Sequence, residues 1–326
     1  MLNTSDISRR RGELMGFAIV LVVLFHISLP RQSAFYGWMR MGNIGVDIFL
    51  FLSGMGLWFS WSKSQVLRRF YERRLWRIYP AWLVVAALYY VPLFMKDGDG
   101  LRLAGQLLVN WGFWERCELT FWYVPATLAL YLVAPFYMML LRRDAAWRWL
   151  PVVAIVWCVA IQWVRPLHES LGYLEIFWSR IPIFLIGINM GQVIKEGRPI
   201  GNDGKWMSLL VFGATLALCV WLEQHLHGRF PLFIERMVYI PMTVSMLLIL
   251  CWLFDYIPQK ILQLLCFLGG ISLEIYLLHV QFVLLYVQKQ TTSYWLKFAL
   301  VMLITVPLAW LLHWLTGQLA GWLQKK

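Results

Sequence analysis

Long apolar runs recur along nearly the whole chain, at residues 13–30, 43–62, 76–95, 119–141, 147–164, 178–194, 206–222, 234–254, 264–287 and 294–322. The hydrocarbon core of a bilayer takes about 20 apolar residues per helix. The chain is therefore expected to be an all-α membrane protein, a polytopic bundle of about ten transmembrane helices forming one integral-membrane domain over residues 1–326. The first run follows a charged start but precedes no small-residue cleavage site, so it reads as a retained helix and not a signal peptide. No repeat, low-complexity tract or long hydrophilic segment interrupts the pattern.

Composition agrees with this and excludes other classes. A chain that is 60% hydrophobic and 14% charged, with mean hydropathy +0.63, is not a soluble domain. Its 20 Trp, 20 Phe and 14 Tyr exclude disorder. The cysteines at 117, 158, 219, 251 and 266 show neither CxxC nor Cys/His ligand spacing, so they read as packing residues and no metal is expected. In a membrane chain, a net charge of +12 points to loops facing anionic lipid, or to an anionic ligand, with no nucleic acid as partner.

With the N-terminus placed in the cytoplasm, eighteen of the 29 Lys and Arg fall on that side, among them Arg9 to Arg11, the stretch from Lys63 to Arg77, Lys325 and Lys326. The asymmetry predicts both termini cytoplasmic. The aromatic-rich segments 96–118 and 165–177 on the other side read as interfacial helices.

An ionisable side chain within a span is costly and marks a candidate site. Here these are His26, Asp47, Glu274, His279 and His313. His26 stands 15 residues beyond Arg11, which at 1.5 Å per residue is roughly 22 Å along the helix and past the midplane. Asp47 enters from the far side on the next span and reaches a similar depth. An imidazole and a carboxylate so placed can pair, either to orient the ring as a proton acceptor or simply to fasten two helices. His279 and His313, near span ends among aromatic residues, fit an interfacial role as well as a chemical one.

Between the second and third runs lies KSQVLRRFYERRLWRIYP, residues 63–80. Arg69, Arg73 and Arg77 recur every four residues and share one helical stripe, with Arg74 beside it. Such a stripe can bind phosphate by charge-assisted contacts, or serve as a topology signal against lipid head groups. No Walker loop or GxGxxG is present, and GMG at 54–56 and GG at 269–270 read as close helix packing.

Several motifs occur in a distinctive order: ELMGFAIVLVVLFH, GVDIFLFLSG, RRFYERRLWRIYP, FWYVPATLALYLVAP, RIPIFLIGINMG and LGGISLEIYLLHV. In this order the chain resembles the membrane-bound acyltransferase 3 family, which O-acylates cell-surface polysaccharides, peptidoglycan and small acceptors. The resemblance implies an acyl-CoA donor, acetyl-CoA by default, on the cytoplasmic side. It implies a glycan, lipid-linked saccharide or small hydroxyl compound as acceptor, in a multi-pass protein of the bacterial plasma (inner) membrane. It carries the catalytic base onto His26, with Asp47 as its partner, and donor binding onto Arg69, Arg73, Arg74 and Arg77. Trp122, Tyr123, Arg180 and His279 become expected substrate-binding residues. The family's arginine eleven positions before the histidine is Met15 here, and Arg11, one turn lower on the same face, is expected to replace it.

The chemistry so implied is direct acyl transfer from a thioester, with His26 taking the acceptor's proton. Ser53 as an acyl-carrying nucleophile is the covalent alternative. A different class, a transporter or flippase exporting a sugar or small anion through a His26–Asp47 proton relay, also fits the buried polar residues.

Overall fold

The computed structural model describes residues 2–323; Lys325 and Lys326, counted above as cytoplasmic, lie outside the described residues. The fold is all-helical. Within a bilayer each backbone N–H and C=O must be paired inside its own segment, which for apolar runs of this length leaves the helix. The helices that build the site and its frame are α1 (Arg11–His26), α2 (Ile44–Lys63), α3 (Leu67–Asp97), α4 (Gly100–Val109), α5 (Tyr123–Arg143), α6 (Leu150–Trp163), α7 (Ile181–Glu196), α8 (Asn202–Leu226), α9 (Leu232–Leu253), α10 (Gln259–Gly270), α11 (Ser272–Leu278) and α12 (Tyr294–Leu323).

Among the described residues seven helices are long and apolar enough to cross a membrane, and nine spans result if each of two bent pairs counts once. One pair is α10 with Ser272–Val287, bent by 64°. The other joins Arg165–Trp178, which holds the expected interfacial segment 165–177, to α7 at a bend of 44°. The 96–118 segment does give short helices, including α4. The first expected span, 13–30, is shorter than its apolar run: α1 has 16 residues, about 24 Å at 1.5 Å each, and stops at His26 before Ser28 and Pro30.

That short helix is the centre of the bundle, packed against α2, α10 and α11. Glycine permits the approach. A Cβ on Gly16 would lie 1.8 Å from the Leu265 carbonyl oxygen, and one on Gly269 would lie 2.1 Å from that of Gly12. Helix α2 meets α7 in the same way through Gly54 and Gly187, each of whose Cβ positions would lie 2.3 Å from a facing carbonyl oxygen. Gly54 and Gly269 thus fill the packing role read from their motifs, whereas Gly56 backs the Arg11 guanidinium and Gly270 faces open space. Between lipid-like surfaces there is little hydrophobic gain in helix association, so close van der Waals contact of this kind fixes the arrangement. Cys158, Cys219 and Cys251 are buried in it as packing residues, while Cys266 is exposed.

Candidate active site

His26 is the last residue of α1. Its Nδ1–H donates to the Val22 carbonyl oxygen at 2.8 Å. His279, fully buried, opens a π-helical turn over His279–Leu284. Its Nδ1 lies 3.0 Å from the Ile275 oxygen and 2.9 Å from the Tyr276 oxygen. Carbonyls only accept, so this nitrogen carries the hydrogen and Nε2 presents a lone pair. That lone pair faces His26 Nδ1 at 3.2 Å. The His26 Nδ1–H is therefore shared between a carbonyl and an imidazole, and the unprotonated nitrogen of His26 is Nε2, which has no hydrogen bond to any described residue. The rings meet edge to face, centroids 4.9 Å apart at 75°.

The expected His26–Asp47 pair does not form. Asp47 is fully buried, and its Oδ2 accepts from Arg180 Nη1. Arg180 Nη2 in turn donates to Asn43 Oδ1 at 2.9 Å. A carboxylate and a guanidinium satisfy each other's charge out of water, which an imidazole held by two other acceptors would not do for Asp47. This ion pair ties α2 to the residue that precedes α7. Arg180, expected at the substrate, is buried in that ion pair. The same geometry leaves a His26–Asp47 proton relay without its link. Glu274 likewise is joined to His313, at 2.8 Å, tying α11 to α12.

A cavity of about 80 Å³ lies beside α1. Arg11, Met15 and Val22 line it from α1, Ser53 from α2, Arg77 from α3, Tyr123 and Tyr131 from α5, and Tyr276 from α11. Arg11 to Val22 is eleven residues, about 16 Å along the helix axis. At one end Arg11 and Arg77 stand beside Arg74 and Tyr131. The Nε atoms of Arg11 and Arg74 are buried with no hydrogen-bond partner. Arg68 has Glu72 at 2.7 Å, but among the described residues no carboxylate pairs with Arg11, Arg69, Arg73, Arg74 or Arg77. Guanidinium groups gathered without counter-charge fit the phosphates of an anionic donor. The stripe divides: Arg77 lines the cavity, Arg74 is half-buried beside Arg11 and Arg77, and Arg69 and Arg73 are exposed.

At the other end the Tyr276 hydroxyl accepts from the Tyr123 backbone N–H at 3.1 Å, and the Tyr276 ring lies 6.1 Å from that of His279. The cavity thus closes on two tyrosines, with the histidine pair directly behind them. Tyr123 lines it as a substrate-binding residue would, whereas Trp122 packs beside Phe113. Tyr131, Ser272 and Tyr276 were not singled out from sequence, although Ser272 and Tyr276 sit inside the ISLEIYLLH motif. Among the described residues no group of three His, Cys, Asp or Glu gathers as a metal site.

The apolar helical bundle thus carries a cavity with unpaired arginines at one end and two tyrosines at the other, the histidine pair standing behind the tyrosines. The chain belongs to the acyltransferase 3 family, whose acyltransferase domain matches residues 14–314. It is similar to peptidoglycan O-acetyltransferase OatA of Listeria monocytogenes, with 27% identity over 253 residues, 72% of this chain and 37% of the relative. It is also similar to the putative membrane-bound transacylase BcsY of Komagataeibacter xylinus, with 42% identity over 89 residues, 25% of this chain and 20% of the relative. The alignments with these two relatives span well under half of their length. No solved structure matches.

Proposed function

We propose that the protein is an O-acyltransferase moving an acyl group, acetyl by default, from acyl-CoA to a hydroxyl of a glycan, lipid-linked saccharide or other small acceptor, with His26 as general base. The observation that supports this is one cavity that runs from Arg11 and Arg77 to Tyr123 and Tyr276, whose ring stands 6.1 Å from that of His279. Arg11, Arg74 and Arg77 hold the donor's phosphates at the mouth, with Arg69 and Arg73 at its rim. Arg11 thereby does from one turn lower what an arginine at position 15 would do. Counting the short α1 as a span gives ten, both termini cytoplasmic, and the arginines then face the compartment that supplies acyl-CoA. The membrane is the bacterial plasma membrane.

The pantetheine arm runs along the face of α1 toward His26. His26 Nε2, left unprotonated by the bonds at Nδ1, takes the proton of the acceptor hydroxyl as that oxygen attacks the thioester carbonyl carbon. The carbon–sulfur bond then breaks, and the departing thiolate receives the proton from Nε2. Removal of one proton by a positioned base contributes about 10²–10⁴ in rate; holding the two reactants together supplies much of the rest. His279 is the positioning residue that keeps His26 in the required tautomer.

The test is purified protein given acetyl-CoA radiolabelled in the acetyl group together with saccharide acceptors. The expected result is free CoA released in step with label appearing as an alkali-labile ester. Label that crosses a vesicle membrane with its thioester intact points instead to a carrier.

A further inference from the structure

The bundle end that carries the arginines holds another polar cavity, of about 220 Å³. It is lined by Trp58, Trp61 and Ser62 of α2, Arg142 of α5, Arg148 in the turn Ala145–Trp149, and Asn189 of α7. Ser53, which lines the cavity beside α1, and Ser62 are nine residues apart, so they stand on opposite faces of α2, and no residue lines both cavities. We infer that this cavity is a second anion site, which binds a phosphate ester other than the acyl donor.

Two observations lead there. The wall offers positive charge without a counter-charge. No Asp or Glu lines the cavity, and neither the Arg142 nor the Arg148 side chain has a hydrogen bond or ion pair to any described residue. Glu196, within electrostatic range of Arg148, is already engaged by Arg198 at 2.9 Å and by Gln192 at 3.0 Å. Two free guanidinium groups on one cavity suit phosphate oxygens, which accept charge-assisted hydrogen bonds from both. The second observation is at Trp61, which is only 3% exposed and whose indole N–H is buried with no acceptor. A donor stranded out of water is costly, and an acceptor oxygen bound in the cavity that Trp61 lines relieves that cost.

The wall is also fixed in advance. Asn189 Nδ2 donates to the Arg148 carbonyl oxygen at 3.0 Å, and Asn189 Oδ1 accepts from the Tyr137 hydroxyl at 2.7 Å. Asp144 Oδ1 accepts from the Ala146 N–H at 2.8 Å and so holds the turn that carries Arg148. Gly191 lets the Trp58 ring lie against α7, since a Cβ there would stand 2.6 Å from the ring. Asn189 and Gly191 close the RIPIFLIGINMG motif, and neither lines the cavity beside α1. Shaping this second cavity gives that end of the motif a task.

Two sources offer the required phosphate. Trp147 and Trp149, on either side of Arg148, are exposed at the start of a candidate span, the placement of aromatic residues at head-group depth. An anionic phospholipid presents its phosphate there, and a soluble phosphate ester presents the same oxygens from the aqueous side.

The test measures binding of two probes to the purified full chain: radiolabelled sn-glycerol 3-phosphate by scintillation proximity, and phosphatidylglycerol by native mass spectrometry. The variants are Trp61→Phe, which loses the N–H but keeps a ring against Phe70, and Arg148→Gln, an exposed position whose change leaves the packed interior alone. Acetyl-CoA affinity is measured beside them. The expected result is that at least one probe binds wild type, about 10-fold more weakly in each variant, with acetyl-CoA affinity within twofold throughout. Binding of phosphatidylglycerol alone makes this a head-group site, and binding of sn-glycerol 3-phosphate alone makes it a site for a soluble ester. A wild-type protein that binds neither probe overturns the inference, as does an Arg148→Gln variant that binds them within twofold of wild type. Acetyl-CoA affinity that falls in step with probe affinity in Arg148→Gln gives the cavity to the donor and overturns the separate site. A wild-type protein that binds a probe but no acetyl-CoA removes the acyl-transfer reading and leaves this site standing.

Discussion

His279 Nε2 stands 3.2 Å from His26 Nδ1, although 253 residues separate the two in sequence. Since His279 Nδ1–H is engaged by the carbonyls of Ile275 and Tyr276, this contact and the Val22 carbonyl together keep the hydrogen of His26 on Nδ1 and the lone pair on Nε2. Both carbonyls lie in α11, three and four residues before His279, and a π-helical segment, a feature frequent at functional sites, begins at His279 itself.

His279→Ala removes the acceptor but not the base. The expected outcome is a kcat lower by roughly 10- to 100-fold, the usual range for losing an orienting partner, with the donor KM within twofold. His279→Gln, which can again present an oxygen to His26 Nδ1, is expected to recover part of the loss. Steady-state kinetics of the two variants check this.

Donor affinity should follow the division of the arginine stripe. Losing a charge-assisted hydrogen bond costs about 1.5–3 kcal/mol. Arg11→Ala and Arg74→Ala, whose Nε atoms are buried and unpaired, are expected to weaken acyl-CoA binding by one to two orders of magnitude. Arg69→Ala, exposed at the rim, is expected to change it less than threefold. Titration calorimetry with acetyl-CoA measures all three; an unchanged affinity for Arg11→Ala removes Arg11 from the donor site.

Asp47→Ala leaves a buried Arg180 charge without compensation, and breaking a buried pair in this way costs about 3–5 kcal/mol. A lower thermal midpoint in detergent is expected. The double variant Asp47→Leu with Arg180→Met is expected to recover most of it, because neither charge is then stranded. A single variant that melts like wild type but loses its activity returns Asp47 to the catalytic role.

Two glycines give a packing contrast. Gly16→Ala drives a methyl group into the Leu265 backbone and is expected to destabilise by about 1–3 kcal/mol, with poor yield of folded protein. Gly270→Ala meets nothing within 4 Å and is expected to be neutral or stabilising. Melting curves of the two separate them.

Much of this was legible in the sequence, and the departures have identifiable causes. The apolar runs mark the helices, but a run of 18 residues ended as a helix of 16 because Ser28 and Pro30 follow the histidine. His26, Asp47 and His279 each stood out as ionisable groups within apolar runs. Depth alone made His26 and Asp47 partners, since consecutive spans are the natural neighbours. Arg180 and His279 lie 133 and 253 residues from the partners they bond, and neither span order nor periodicity encodes such contacts. The four-residue spacing identified the arginine stripe, while which of its members lines the cavity, Arg77, depended on how α3 packs against α5. That Arg11 and Met15 share one face of α1 was readable from their four-residue spacing, and both line the cavity.

The most direct measurement is acetyl transfer by His26→Ala alongside its affinity for acetyl-CoA. The account requires kcat to fall by about 10²–10⁴ while donor affinity stays within twofold, because the base is removed and the arginine mouth remains. Transfer within a few-fold of wild type, in a variant that still binds donor, would contradict it.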